Sequence, residues 1–360
     1  MLRQSLALTL GYSVEVSPSL AGLADHLAGQ LDPQRGVVVT NPTVRALHGA
    51  ALAEELKSLR LTWIEVPDGE EHKTLESWQR VVAEILAGRP DRRTVVFAFG
   101  GGVIGDLAGF SAACVLRGLP LVQVPTTLLA MVDASVGGKT GVNTPAGKNL
   151  VGAFYQPAGV WAALDTLRTL PERELQCGLG EIVKHAILAG EVGLAALEDS
   201  AAALRRGEPA ALAAAILASI AVKARIVERD PAEHGERVLL NLGHTLGHAI
   251  ESTAGYGRYS HGTAVAIGTM AVARLGVGGG FPVDSRFVDR LERLFRSLGL
   301  PVHTPNELPD PALIEAMGFD KKRERGMVKL VIPVAPGDVR VRLVPEADLA
   351  CLAAAGRKSP

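Results

Sequence analysis

Two histidines four residues apart, His244 and His248 in Asn241-Leu242-Gly243-His244-Thr245-Leu246-Gly247-His248, fall on one face of any helix they share. A third, His261, follows in Ser260-His261-Gly262-Thr263, and upstream Glu181 and Lys184 share a helix face in Gly178-Leu179-Gly180-Glu181-Ile182-Val183-Lys184. A carboxylate with two imidazoles is the donor set of a divalent-metal site that keeps positions open for a substrate oxygen. A single histidine in such a pattern is more often an ordinary core or surface imidazole. Three of them interrupting apolar helical stretches, with glycines beside them, point to a site. The spacing leaves open whether His244 and His248 both bind metal or only one does. Lys223, Arg225, Arg237 and Asn241 lie in the same half of the chain and add anion-binding capacity.

A second constellation opens with the apolar run Val95-Val96-Phe97-Ala98-Phe99, which enters Gly100-Gly101-Gly102-Val103-Ile104-Gly105-Asp106. Gly100, Gly102 and Gly105 satisfy G-x-G-x-x-G at a strand-to-helix turn, where the backbone approaches a pyrophosphate and the helix N-terminus supplies amide donors. The bland alternative is a tight turn with no ligand. The acidic residue expected about 20 positions later is missing, since that stretch reads Pro120-Leu121-Val122-Gln123. An acidic ribose partner then has to come from Asp68-Gly69-Glu70-Glu71-His72-Lys73, which is otherwise a solvated turn. Residues 125–143 and Gly147-Lys148-Asn149-Leu150 form the densest polar and glycine-rich segment. Gly138-Lys139-Thr140 ends like a phosphate loop, but Asp133 stands where that loop requires glycine, which disfavours nucleoside triphosphate hydrolysis. Lys139, Lys148 and Asn149 still suit a phosphate or carboxylate. Arg117 is either a surface charge or an anion ligand.

Positioning these groups falls to an alternating pattern in the first half of the chain. Strand-like runs at 36–40, 61–66, 94–99 and 121–124 alternate with amphipathic stretches such as 44–59 and 75–87, the signature of an α/β domain with a mainly parallel sheet. After about Pro171 the chain turns to long helical patterns, including 174–188, 210–229, 244–253 and 261–272, with a hairpin expected from 328–333 and 339–344. The expected domains are 1–171 and 172–360, with the chemistry in a cleft between them.

The 360 residues carry a formal net charge of -1 and are 48% hydrophobic, enough for two cores and without the basic stripe a nucleic-acid partner would need. Cys114, Cys177 and Cys351 form neither a disulfide framework nor a metal knuckle, which suits a reducing cytoplasm. No export signal is read at the N-terminus. The longest apolar stretch, residues 209–222, falls short of the roughly 20 residues of a membrane span and reads as a buried helix.

Taken in order, the turn at 100–109, residues 125–149, Gly152-Ala153-Phe154-Tyr155-Gln156-Pro157, residues 178–184 and residues 241–251 resemble the 3-dehydroquinate synthase family of sugar-phosphate cyclases, and more distantly the glycerol and iron-dependent alcohol dehydrogenases. The resemblance covers nearly the whole chain. It implies an N-terminal Rossmann-like NAD-binding domain, a helical metal- and substrate-binding domain, and a cytoplasmic homodimer with one Zn2+ or Co2+. It implies Glu181, His244 and His261 as metal ligands, with His248 serving substrate phosphate and proton transfer. Lys139, Lys184, Lys223, Arg237, Asn149 and Asn241 would hold the substrate, a sugar-acid phosphate, together with Asp133 and Lys322. Arg117 would reach into the partner subunit's site. NAD contacts would come from Asp68, Gly69, Glu70, Glu71, His72, Lys73, Gly101, Gly102, Val103, Ile104, Gly105, Asp106, Thr126, Thr127, Lys139, Lys148, Thr166, Leu167, Arg168 and Thr169. The implied reaction turns 3-deoxy-arabino-heptulosonate 7-phosphate into 3-dehydroquinate and phosphate, by transient oxidation, β-elimination, re-reduction and aldol closure. Gly180 is a small departure, because Ala is commoner there in the family.

Overall fold

Side chains along a strand point to opposite faces at every step, so runs that are apolar throughout belong to strands covered on both sides. In the computed structural model the run from Val95 to Phe99 lies in such a strand. The structure describes all residues except 1–2, 32, 232, 234, 256, 279–280, 319–322, 325–326 and 359–360, and Lys322 therefore lies outside the described residues. The chain divides into two compact units, Met1–Pro171 and Glu172–Pro360.

The first unit runs β1 (Gln4–Ala7), β2 (Ser13–Ser17), α1 (Leu23–Ala28), β3 (Arg35–Thr40), α2 (Pro42–Glu55), β4 (Arg60–Glu65), α3 (Leu75–Ala87), β5 (Val95–Gly100), α4 (Gly102–Cys114), β6 (Leu121–Pro125), β7 (Lys139–Thr144), β8 (Gly147–Phe154) and β9 (Gly159–Ala163). Seven strands form one sheet in the order β1-β2-β9-β6-β5-β3-β4. β1 joins β2 antiparallel and the other pairings are parallel. Val37, Val39, Val96 and Ala98 pack on one face against Val81 and Ile85 of α3 and Ile104 and Leu107 of α4. Val38, Val95, Phe97 and Phe99 pack on the other against Leu23 and Leu27 of α1, Leu52 of α2 and Leu56 just after it. Each such side chain contributes about 1.5–3 kcal/mol by leaving water, which fixes the sheet as a rigid platform.

β4 lies on one side of β3, and the chain then crosses back to place β5 on the other. The connections leaving the ends of β3 and β5 therefore diverge, and open α/β sheets bind ligands in the crevice that such a divergence creates. Thr40 and Gly100 end the two strands there. From Lys139 onward the polar, glycine-rich segment folds into the antiparallel β7–β8 hairpin.

The second unit holds α5 (Glu172–Ala189), α6 (Glu191–Arg205), α7 (Pro209–Arg229), α8 (His244–Ala254), α9 (His261–Gly278), α10 (Ser285–Ser297), α11 (Asp310–Gly318) and α12 (Leu349–Ala355). The strands β10 (Arg323–Glu324), β11 (Met327–Ala335) and β12 (Asp338–Pro345) form its small sheet, and β11 with β12 make the expected hairpin. One expectation is corrected. The apolar helix α7 runs on to Arg229, so its 21 residues are long enough to cross a membrane, and length does not exclude a span. Buried Ile216, Ile220 and Val227 and the charged Lys223, Arg225, Glu228 and Arg229 instead mark a core helix.

Candidate active site

Three helices of the second unit each bring one proposed ligand. Glu181 and Lys184 lie one turn apart on α5, His244 opens α8 and His261 opens α9. The residue beside each ligand is glycine, and the reason is proximity. A Cβ on Gly180 would sit 2.2 Å from the Gly262 carbonyl oxygen, and one on Gly262 would sit 1.7 Å from that of Cys177, so α5 and the start of α9 meet backbone to backbone. Gly243 takes φ +79 before α8, and its carbonyl lies where a Cβ on Gly268 of α9 would be, at 1.9 Å. Gly180 thus lies where α5 meets the start of α9 backbone to backbone.

The Glu181 carboxylate is fully buried, and among the described residues neither of its oxygens accepts a hydrogen bond. Lys184, 2% exposed, contacts Oε2 as an ion pair. His244 Nε2 lies 4.0 Å and His261 Nε2 3.8 Å from Oε1. Donor nitrogens of His244, His248 and His261 all lie within 4.8 Å of one another. Lys184 pairs Oε2, while Oε1 accepts no hydrogen bond among the described residues and faces both imidazole Nε2 atoms; a buried carboxylate oxygen left so is costly, and Glu181 with the two imidazoles fits one divalent cation. The far nitrogens are tied down. His244 Nδ1 lies 3.0 Å from the Leu242 carbonyl oxygen, and His261 Nδ1 lies 2.9 Å from Glu251 Oε2. With the proton on Nδ1, each Nε2 presents a lone pair toward Glu181. Burial opposes charge on His261, but the Glu251 hydrogen bond and the charges of Glu251 and Glu181 outweigh it, so its pKa is raised above the ordinary imidazole value.

His248, one turn beyond His244, is exposed. Its ring centroid lies 5.3 Å from that of His244 and 5.8 Å from that of His261. Lys223 is buried on α7, and Arg237 and Asn241 lie in the short turn Glu236–Asn241 that leads into α8. Arg237 is 2% exposed, and its guanidinium donates to the Pro231 carbonyl at 2.7 Å. The Asn241 amide donates to Glu233 at 3.2 Å.

In the first unit the glycine turn opens α4 with Gly101 as its N-cap and no side-chain cap, so its first amides are not covered by a capping side chain. Thr126, just past β6, is buried, and its hydroxyl has no partner among the described residues. Lys73 is buried, contacts Asp106 on α4 and donates to Asn149 Oδ1 at 2.6 Å. Asn143 donates to Glu70 Oε1 at 2.8 Å and accepts from the Asn149 amide at 3.0 Å. Glu70 is 4.0 Å from the Lys148 ammonium. The Glu70 turn, α4 and the β7–β8 hairpin, far apart in sequence, are therefore linked by one polar network. Asp68 accepts from Thr43 at 3.0 Å. The Thr166 hydroxyl donates to the Ala163 carbonyl and that of Thr169 to the Thr166 carbonyl, with His48 Nε2 2.8 Å from the Thr169 oxygen. Lys139 opens β7 and is exposed, Asp133 lies in the π-turn Ala130–Ala134, and Arg117 is exposed after α4.

Two features escaped the sequence reading. Glu251 had only its place two turns after His244 as a signal. The turn at Asn41 and Thr43, beside the crevice at the end of β3, had none, because strand order is not written locally.

Family models described as 3-dehydroquinate synthase N-terminal and C-terminal match residues 63–177 and 178–323. A curated 3-dehydroquinate synthase of Pseudomonas putida (strain W619) is 46% identical over 332 residues, covering 91% of each chain. Among solved structures, 2-epi-5-epi-valiolone synthase from Streptomyces hygroscopicus subsp. jinggangensis 5008, with NAD+ and Zn2+ bound, is 29% identical with a TM-score of 0.85, covering 98% of this chain and 97% of that one. A 2-deoxy-scyllo-inosose synthase complexed with carbaglucose-6-phosphate, NAD+ and Co2+ shares the fold at 23% identity, with a TM-score of 0.88 over 98% of this chain and 99% of that one.

Proposed function

The chain belongs to the 3-dehydroquinate synthase family, and from that premise we propose that it converts 3-deoxy-arabino-heptulosonate 7-phosphate into 3-dehydroquinate and phosphate, with NAD and one Zn2+ or Co2+. The buried Glu181 carboxylate, paired with Lys184 through Oε2 and turning Oε1 toward two imidazole Nε2 atoms, carries this reading. Glu181, His244 and His261 would hold the cation, and the turn from Gly101 to Asp106, with Asp68 to Lys73, Thr126, Thr127, Lys148 and Thr166 to Thr169, would hold NAD.

Bound there, NAD would supply transient hydride acceptance and the cation would supply Lewis-acid polarisation of a substrate hydroxyl. Lys184, held beside Glu181, would bind a substrate hydroxyl. Lys139, Asn149 and His248 orient the phosphate so that the departing group itself takes the adjacent proton, which asks for positioning more than for a strong base. Lys223 and Arg237 fix the carboxylate through charge-assisted bonds while the ring closes, and Asn241 adds a neutral donor. We place the enzyme in the cytoplasm as a homodimer in which Arg117 reaches into the partner subunit's site. Supporting that role, Leu116 and Arg117 both hold left-handed backbone, φ 51 and 63, a strained conformation that presents an exposed arginine.

The experiment is a substrate comparison. Purified enzyme with NAD and Co2+ is given the heptulosonate phosphate, sedoheptulose 7-phosphate and glucose 6-phosphate, and released phosphate is measured. Turnover of the carboxylate-bearing substrate alone supports the reading. Turnover only of the two neutral sugars overturns it.

A further inference from the structure

On the reading of Glu181, His244 and His261 as a cation site, we infer that Glu251 is a positioning residue for the metal, acting through His261. His261 is the first residue of α9 and follows a turn in which Gly255 and Gly257 take φ +80 and +92. A first-turn residue has little within its own helix to fix its ring, because helix ends fray. Glu251 supplies the fixing. It projects from α8 two turns beyond His244, is buried, and accepts the His261 Nδ1 proton at 2.9 Å. One helix therefore provides a ligand at its first residue and the tether for the next helix's ligand at its eighth position.

The bond selects the tautomer with its lone pair on Nε2, the nitrogen 3.8 Å from Glu181 Oε1. It also makes the imidazole a stronger donor, because the carboxylate shares the ring's charge. His244 Nδ1 faces the neutral Leu242 carbonyl in the same role, so the two imidazoles are held by different partners, and that of His261 is charged.

The test compares full-length wild type with Glu251→Ala and Glu251→Gln, using Co2+ alone as the probe. Affinity is read by competition with a chromophoric chelator, ligand geometry by the visible Co2+ bands, and fold by melting of the chelator-treated proteins. We expect Glu251→Ala to bind Co2+ roughly 10–100-fold more weakly with shifted bands. Glu251→Gln, which keeps an acceptor at the same reach, should recover part of the loss, and all three chelator-treated proteins should melt alike. Wild-type affinity and bands in Glu251→Ala would overturn the inference while leaving the cation site standing. So would a weakening that follows a matching loss of melting temperature in both variants, since Glu251 would then serve the fold alone. A wild type that takes up no Co2+ would overturn the cation site itself, and this inference with it.

Discussion

At the scale of single residues, the site is a set of polar groups whose local patterns announced them but whose pairings did not. The His244 and His248 spacing, Glu181 and the glycine turn could be read from sequence, because a helix or a βα turn brings neighbours together within one element. The bonds from Glu251 to His261 and from Lys73 to Asn149 join different elements and leave no local trace. Replacing Glu181 with Gln removes the only anionic donor among the three proposed ligands. Since a Lewis-acid ion contributes several kcal/mol to such chemistry, turnover should fall on the order of 100-fold or more, while NAD titration by fluorescence stays unchanged. The raised pKa of His261 gives a second prediction, with a definite sign. Below that pKa the ring is protonated and cannot ligate, so a metal ion competes with a proton and affinity should rise with pH until the pKa is passed. In chelator-treated enzyme the same group contributes stability below the ordinary imidazole pKa, and that contribution is lost as pH rises through the raised one. Metal titrations and melting curves across that range check both.

At the scale of elements, glycines and a buried thiol decide how closely the ligand-bearing helices meet. Gly262→Ala puts a methyl group against the Cys177 carbonyl, and overpacking of this kind costs about 1–3 kcal/mol. It should lower the melting temperature and loosen metal binding together. Cys177 itself is buried, and its pKa is pushed up to about 12 by burial. Native enzyme treated with iodoacetamide near neutral pH should be labelled at the exposed Cys114 and Cys351 and spared at Cys177, as peptide mapping would show. The buried strands β3, β5 and β6 were legible because their apolar runs are continuous. β2 was not, since Glu15 lies buried in its middle beside Ser5, Ser13 and Arg3, a charged residue that interrupts the apolar run. β7 and β8 read as a loop for the same reason, their glycines and lysines being held by pairing with each other and by Asn143 bonding to the Lys73 carbonyl. α10 was there to be read, with Asp284 as its cap and Phe287, Val288, Leu291, Leu294 and Phe295 on one buried face.

At the scale of the whole molecule, the account ties a nucleotide-binding sheet and a cation-binding helical unit to one cyclisation in which the cofactor ends as it began. That claim separates a lyase from a dehydrogenase of related fold. The most direct measurement follows released phosphate and nicotinamide absorbance together, in full-length enzyme with NAD, Co2+ and 3-deoxy-arabino-heptulosonate 7-phosphate. The account predicts continuous phosphate release with no lasting rise in NADH absorbance, and loss of that release in Glu181→Gln. Accumulation of NADH in step with substrate consumed, or no phosphate released at all, would contradict it.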